Sequence, residues 1–202
     1  MSELPIPDYD PATLVRSIAV EIEAPAALVW QVLTDLDNYP VWNPLCVAVN
    51  STLEIGAPVE MTLADYTGGG GTYPYTEYVC AVVPERLLSW ELIPTPDCRD
   101  AARRDQIIEH LAEDRCRYYS TDAFLGEVAH QIMAESGEWV KRAFDETAVA
   151  LKERCESLHR DTFLSTRFLQ PSSAISSDDR RVTAEDVTTT GTGLPDASSV
   201  WL

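Results

Sequence analysis

Glu109, His110, Tyr118, Tyr119 and Asp122 bring acid, base and hydroxyl groups together on either side of the dipeptide Glu113-Asp114. The flanking runs 105–112 and 115–124 are rich in β-formers and form a hairpin about that turn. Alternate residues of a strand face opposite ways, so Glu109 shares a face with Leu111, and His110 shares the other with Ile108. Only one set can look into an interior. A carboxylate drawn into an apolar pocket has its pKa raised, and beside a tyrosine hydroxyl it can move a proton to or from an enolisable ketone. The competing reading makes Glu109 a rim ion pair with Arg104, Arg115 or Arg117.

Further candidates concern binding. Arg16 alternates with Ile18, Val20 and Ile22, which places it at the inner end of a first strand, ready for a ligand carboxylate or phenolate or for balancing an interior acid. Trp42 and Trp90 either line a pocket or belong, like Trp30, to an apolar core. Tyr66, Tyr73, Tyr75 and Tyr78 flank the run Gly68 to Gly71, offering aromatic faces to an apolar ligand or packing across strands. That run lacks a following Gly-Lys-Ser/Thr, and no G-x-G-x-x-G opens a helix, so nucleotide binding has no support. It is a hairpin tip or a lid. Met133, Ser136, Gly137 and Val140 are candidates for a pocket wall, since small side chains at 136 and 137 leave room for a ligand; core packing competes. Serine, cysteine and histidine form no triad-like series. The five cysteines are scattered without a C-x-x-C pair and away from His110, His130 and His159, so reduced thiols, no metal and no cofactor are expected.

The elements that position these residues follow from periodicity. Residues 16–23 alternate as a strand and stop at Ala24-Pro25; Val29, Val32, Leu33 and Leu36 then recur at helical spacing, giving a short helix over about 25–36. Asp37-Asn38-Tyr39-Pro40 breaks it, and Val41-Trp42-Asn43-Pro44 makes a second turn. Candidate strands follow at 45–53, 59–66, 75–83, 86–93, 105–112 and 115–124, with Pro84-Glu85 and Glu113-Asp114 as hairpin turns. After Gly126 the period changes, and Ile132 or Met133, Ser136 or Gly137, Val140, Phe144, Thr147 or Ala148, Leu151 and Cys155 share one face of a helix of about eight turns. Strands followed by one long helix indicate an α+β fold, a seven-stranded antiparallel sheet curled around the helix with a cavity between them.

The 202 residues hold 15 Lys plus Arg against 33 Asp plus Glu, a net charge of −18. Such a chain repels nucleic acid and anionic headgroups. No run is apolar enough to span a membrane and no signal peptide opens the chain, so a cytoplasmic protein is expected, monomeric or weakly homodimeric. Three segments are expected: an arm over 1–12, a domain over 13–159, and a largely disordered tail over 160–202 with 14 Ser or Thr in 43 residues. Phe163-Leu164 and Phe168-Leu169 are the apolar pairs in that tail able to dock back.

The stretch from Val20 to Pro44 contains, in order, Ala24-Pro25, Val29-Trp30, Asp35, Tyr39-Pro40 and Trp42-Asn43-Pro44. It resembles the N-terminal signature of the START-like helix-grip superfamily (SRPBCC), within it the polyketide cyclase/dehydrase branch. Gly56, the hairpin Val83 to Trp90, and Phe124-Leu125-Gly126 are similar to that family too, so the resemblance covers roughly 13–157. Two features depart from it: Glu113-Asp114-Arg115-Cys116 replaces a usual Gly-Thr after the last turn, and Gly68 to Gly71 enlarges a hairpin near the cavity mouth of relatives. Setting Leu111 at the position relatives keep inward places Glu109, Cys116, Tyr118 and Ser120 inside, and His110, Arg117 and Tyr119 outside.

The resemblance implies a hydrophobic small molecule as partner. A cyclase, aromatase or dehydratase would use Glu109 and Tyr118 as catalytic groups, with Arg16, Trp42, Tyr78, Trp90, Ser120, Met133, Ser136, Gly137 and Val140 around the ligand. A non-catalytic carrier of a hydrophobic metabolite is the second expectation. An interaction module using the sheet's outer surface and the tail is the third.

Overall fold

The computed structural model describes residues 3–96 and 98–168, with side chains through 162. Eight strands form one antiparallel sheet: β1 (Leu14–Arg16), β2 (Val20–Ile22), β3 (Cys46–Asn50), β4 (Pro58–Ala64), β5 (Thr72–Val83), β6 (Leu87–Leu92), β7 (Ala101–Ala112) and β8 (Arg115–Leu125). Its order is β1-β8-β7-β6-β5-β4-β3, with β2 also paired to β8. Helices α1 (Ala26–Thr34) and α2 (Tyr39–Trp42) lie between β2 and β3, and α3 (Ala129–Phe168) closes the series. This is the helix-grip arrangement, with α3 gripped by the curved sheet.

The expected first strand is two strands on one path. Arg16 pairs with Thr121 and Val20 with Tyr118, so four steps on one strand match three on the other. The extra residue is absorbed at Ser17-Ile18-Ala19, where the Ser120 amide donates to Ser17 Oγ at 2.9 Å and the Ile18 amide to Asp145 Oδ1 at 2.7 Å. Such a bulge turns every following side chain to the other face. Val20 and Ile22 therefore face α3, while Arg16 stands outside, its guanidinium 3.9 Å from the centre of the Tyr119 ring. The inward position expected of Arg16 is thus corrected: the bulge that follows it sets Arg16 on the face opposite to Val20 and Ile22.

The turn between α1 and β3 holds together through the residues that made its sequence distinctive. Buried Tyr39 donates its hydroxyl to the Leu33 carbonyl at 2.8 Å and meets Trp42 edge to face at 5.0 Å. Asn43 Oδ1 accepts from the amides of Leu45 and Cys46 at 3.0 and 2.8 Å, which caps the chain as it enters β3. Glu85, in the left-handed region at φ 61°, turns β5 into β6.

Val140, Ala143, Phe144, Ala148, Leu151 and Cys155 are the buried face of α3, at the spacing its sequence predicts. The helix continues past the expected boundary at 159 to Phe168. Lengthening an existing helix needs only propagation, and no proline intervenes before Pro171. The remainder of the tail and the packing expected of Phe163, Leu164, Phe168 and Leu169 lie outside the described residues.

The N-terminal arm packs on part of the convex face of the sheet. Leu4 and Ile6 pack on Ala81, Leu87 and Ile107. Tyr9 donates its hydroxyl to Asp105 Oδ2 at 2.7 Å, Ser89 donates to Oδ1 at 2.5 Å, and Arg103 bridges Asp105 Oδ1 and the Pro5 carbonyl. The fully buried carboxylate of Asp105 is thereby satisfied by three donors.

Candidate functional site

A cavity of about 180 Å³ lies between the concave face of the sheet and α3. Leu45, Leu63, Leu92 and Phe124 from the sheet side and Ile132, Trp139, Val140 and Phe144 from the helix make it apolar, with Tyr73 and Tyr75 on β5. Into this lining project Glu77 from β5, Arg104 from β7 and Asp122 from β8, which are 2%, 9% and 5% exposed. Arg104 stands opposite Asp122 in the β7–β8 ladder. Its guanidinium reaches Glu77 Oε1 at 3.9 Å and lies 4.7 Å from the Phe144 ring centre and 5.9 Å from that of Trp90, within cation–π range.

These groups are incompletely satisfied. Glu77 Oε2, Arg104 Nε and Asp122 Oδ1 are buried with no hydrogen-bond partner among the described residues. Buried polar atoms are normally paired, so three such atoms around one cavity mark a place where a ligand's polar groups fit. Burial pushes the Asp122 carboxyl up to about 7; Arg104 pulls it down, while Glu77 and Asp105 push it up. Burial likewise raises Glu77, against the opposing pull of Arg104. Burial opposes the charge on Arg104, but Glu77 and Asp122 outweigh it and hold the guanidinium protonated. A carboxyl that titrates near neutrality can both accept and return a proton.

Beyond Arg104 a smaller space of about 20 Å³ is lined by Trp90, Gln106, Tyr118 and Ser120 among others. Tyr118 donates to Gln106 Oε1 at 3.4 Å, and Gln106 Nε2 and Trp90 Nε1 have no partner among the described residues. That volume suits about one water molecule.

A family model described as polyketide cyclase / dehydrase and lipid transport matches residues 22–148. The chain belongs to this family. Several solved structures share its fold. A protein of Nitrosomonas europaea, NE0264, is 17% identical with a TM-score of 0.57, covering 75% of this chain and 99% of its own. The di-domain ARO/CYC StfQ from the steffimycin biosynthetic pathway is 10% identical with a TM-score of 0.55, covering 75% of this chain and 52% of its own. A protein of Thermobifida fusca is 21% identical with a TM-score of 0.51, covering 72% and 95%. No curated protein matches the sequence. The resemblance read from residues 20–44 is thus borne out in family and in fold.

In this member of the family the residues singled out from sequence divide into three groups. Ser136 and Val140 line the larger cavity, and Trp90, Tyr118 and Ser120 line the smaller one. Met133, Gly137 and Trp42 lie beside the cavities without lining them: the Met133 sulfur would be 2.8 Å from a Cβ at Gly137, so methionine fills the room glycine leaves, and Trp42 packs on Tyr39. Arg16, Tyr78 and Glu109 lie on the convex side. Tyr78 pairs with Glu91, and Glu109 pairs with Arg117, whose Nη1 reaches Glu109 Oε2 at 3.2 Å and whose Nη2 reaches Glu21 at 3.1 Å.

The expected inward register of Glu109 is therefore corrected. Tyr118 pairs with Ile108, and residues paired across an antiparallel ladder share a face, so Tyr118 inward requires Glu109 outward. The rim ion pair with Arg117 is the arrangement found. Sequence reasoning missed Glu77, named Arg104 only as a possible rim partner of Glu109, and named Asp122 without assigning it a role. Their signal was a charge set in an apolar alternation: Tyr73, Tyr75, Glu77 and Val79 on one strand, Phe124, Asp122, Ser120 and Tyr118 on another.

Among the described residues no helix is long and apolar enough to cross a membrane, and no group of three His, Cys, Asp or Glu could hold a metal ion.

Proposed function

We propose that this cytoplasmic protein binds a hydrophobic, carbonyl-bearing small molecule in the cavity under α3 and promotes its cyclisation or dehydration. The observation that carries this reading is Asp122, a carboxyl titrating near neutrality inside an apolar cavity and opposite a guanidinium. Ionised Asp122 takes a proton from the carbon beside the carbonyl. Arg104 Nε, which has no hydrogen-bond partner among the described residues, donates to the carbonyl oxygen and stabilises the enolate as it forms. In dehydration the same proton passes from Asp122 to a β-hydroxyl, which departs as water while the carbon–carbon double bond forms. In cyclisation the enolate carbon attacks a second carbonyl, whose oxygen takes the proton. The apolar walls fold a flexible substrate into the reactive conformer. Tyr118 lines the smaller space beside this cavity, where it donates to Gln106, and Glu109 takes no part.

A second reading, carriage of an unchanged apolar ligand, is favoured by the lipid-transport part of the family description. The test is to incubate wild type and Asp122→Asn with a metabolite extract of the source cells and follow the extract by liquid chromatography and mass spectrometry. The catalytic reading expects a new compound beyond one equivalent with wild type alone, its mass lowered by one water for dehydration, or unchanged but at a new retention time for cyclisation by carbon–carbon bond formation. A compound depleted only to one equivalent and recovered on denaturation would replace catalysis with carriage.

A further inference from the structure

Four charged side chains line the larger cavity, and they are unequal in sign: Glu77, Asp122 and, at the exposed mouth, Asp100 against Arg104 alone. The cavity face of α3 adds Ile132, Ser136, Trp139, Val140 and Phe144, none of them a base. Arg104 is already engaged by Glu77 and faces Asp122. Among the described residues that line this cavity, the buried atoms without partners are two carboxylate oxygens, Glu77 Oε2 and Asp122 Oδ1, and one donor, Arg104 Nε. An anionic headgroup brought here would be a further acid beside one shared cation in an apolar enclosure, a costly burial of unbalanced charge. A donor group would instead fill both open acceptors. The charge of −18 on the whole chain acts in the same direction on an approaching ligand.

We infer that the polar end of the bound molecule is a hydrogen-bond donor without negative charge, a hydroxyl or an amine seated between Glu77 and Asp122, and that the cavity rejects carboxylate-ended ligands of the same shape. This inference rests on the cavity being the ligand site, and it goes further by stating which apolar molecules enter. It fits a hydroxyl-bearing ketone and excludes a free fatty or aromatic acid.

Three probes of one shape test it: 2-naphthol, 2-naphthylmethylamine and 2-naphthoate, titrated calorimetrically into the full chain near neutral pH. The expected result is that naphthol or the amine binds at least about tenfold more tightly than naphthoate. The double variant Glu77→Gln, Asp122→Asn, checked for folding by circular dichroism, should gain about tenfold in affinity for naphthoate. Naphthoate binding wild type as tightly as the donor probes would overturn the inference while leaving the cavity as a binding site. Failure of all three to bind would overturn the cavity reading itself and this inference with it. The wild-type comparison decides the matter even where the double variant does not fold.

Discussion

Asp122 on β8 stands directly across the ladder from Arg104 on β7, with both side chains buried on the concave face of the sheet. Ladder pairing fixes this relationship more firmly than side-chain attraction alone, because shifting either residue outward would require a bulge in the longest hairpin of the fold. The same ladder pairs Glu109 with Arg117 on the convex face. One hairpin thus presents a buried acid and base to the cavity and an exposed ion pair to solvent.

Asp122 makes stability depend on pH in a definite direction. Its folded-state pKa of about 7 lies above the ordinary carboxylate value of 3.8, so between these limits the native state holds a proton that the unfolded chain has released. Its contribution is fully present below about pH 4 and is lost as pH rises through about 7. Asn at 122 cannot ionise. Asp122→Asn should therefore gain roughly 2–4 kcal/mol on wild type across that window, read from urea unfolding at a series of pH values. An unchanged difference across the series would show that Asp122 is not raised by burial.

The arm over the convex face should contribute stability without touching the cavity. Tyr9→Phe removes one hydrogen bond to the buried carboxylate of Asp105 and should cost about 1–2 kcal/mol in chemical unfolding. Affinity for 2-naphthol should stay at the wild-type value. A loss of binding in a folded Tyr9→Phe protein would mean that the two faces of the sheet are coupled.

Glu109→Gln separates the two faces by function. The side chains of Glu109 and Arg117 are 40% and 39% exposed, so their ion pair is solvent-screened and contributes little to stability. Turnover should remain that of wild type. Abolished turnover with intact folding would return Glu109 to the chemistry and contradict the register described above.

Much of this architecture can be read in the chain because its signals are local. Ala24-Pro25 marks the entry to α1, Glu113-Asp114 marks the last hairpin turn, and Val140, Phe144, Leu151 and Cys155 mark the buried side of α3. Ser136, Val140 and Tyr118 follow from the same periodicities. The faces of Arg16 and Glu109 do not. The first depends on an extra residue at Ser17-Ile18-Ala19, which no turn residue announces. The second depends on a bulge between His110 and Ala112, which shifts the pairing so that Glu109 opposes Arg117 rather than Tyr118. Arg104 is hidden for a related reason: the β-rich pattern begins at Asp105, while pairing with β6 and β8 extends β7 back to Ala101.

The claim that the space under α3 is the ligand site is tested most directly by closing it. Ser136 is half-buried on the helix wall of the cavity, where a larger side chain occupies the void without removing any core contact. The measurement is the affinity of 2-naphthol for wild type and for Ser136→Trp, by calorimetric titration, with thermal unfolding to confirm that both are folded. The account predicts that the folded variant loses at least about a hundredfold in affinity. A folded Ser136→Trp protein that binds 2-naphthol as wild type does would contradict it.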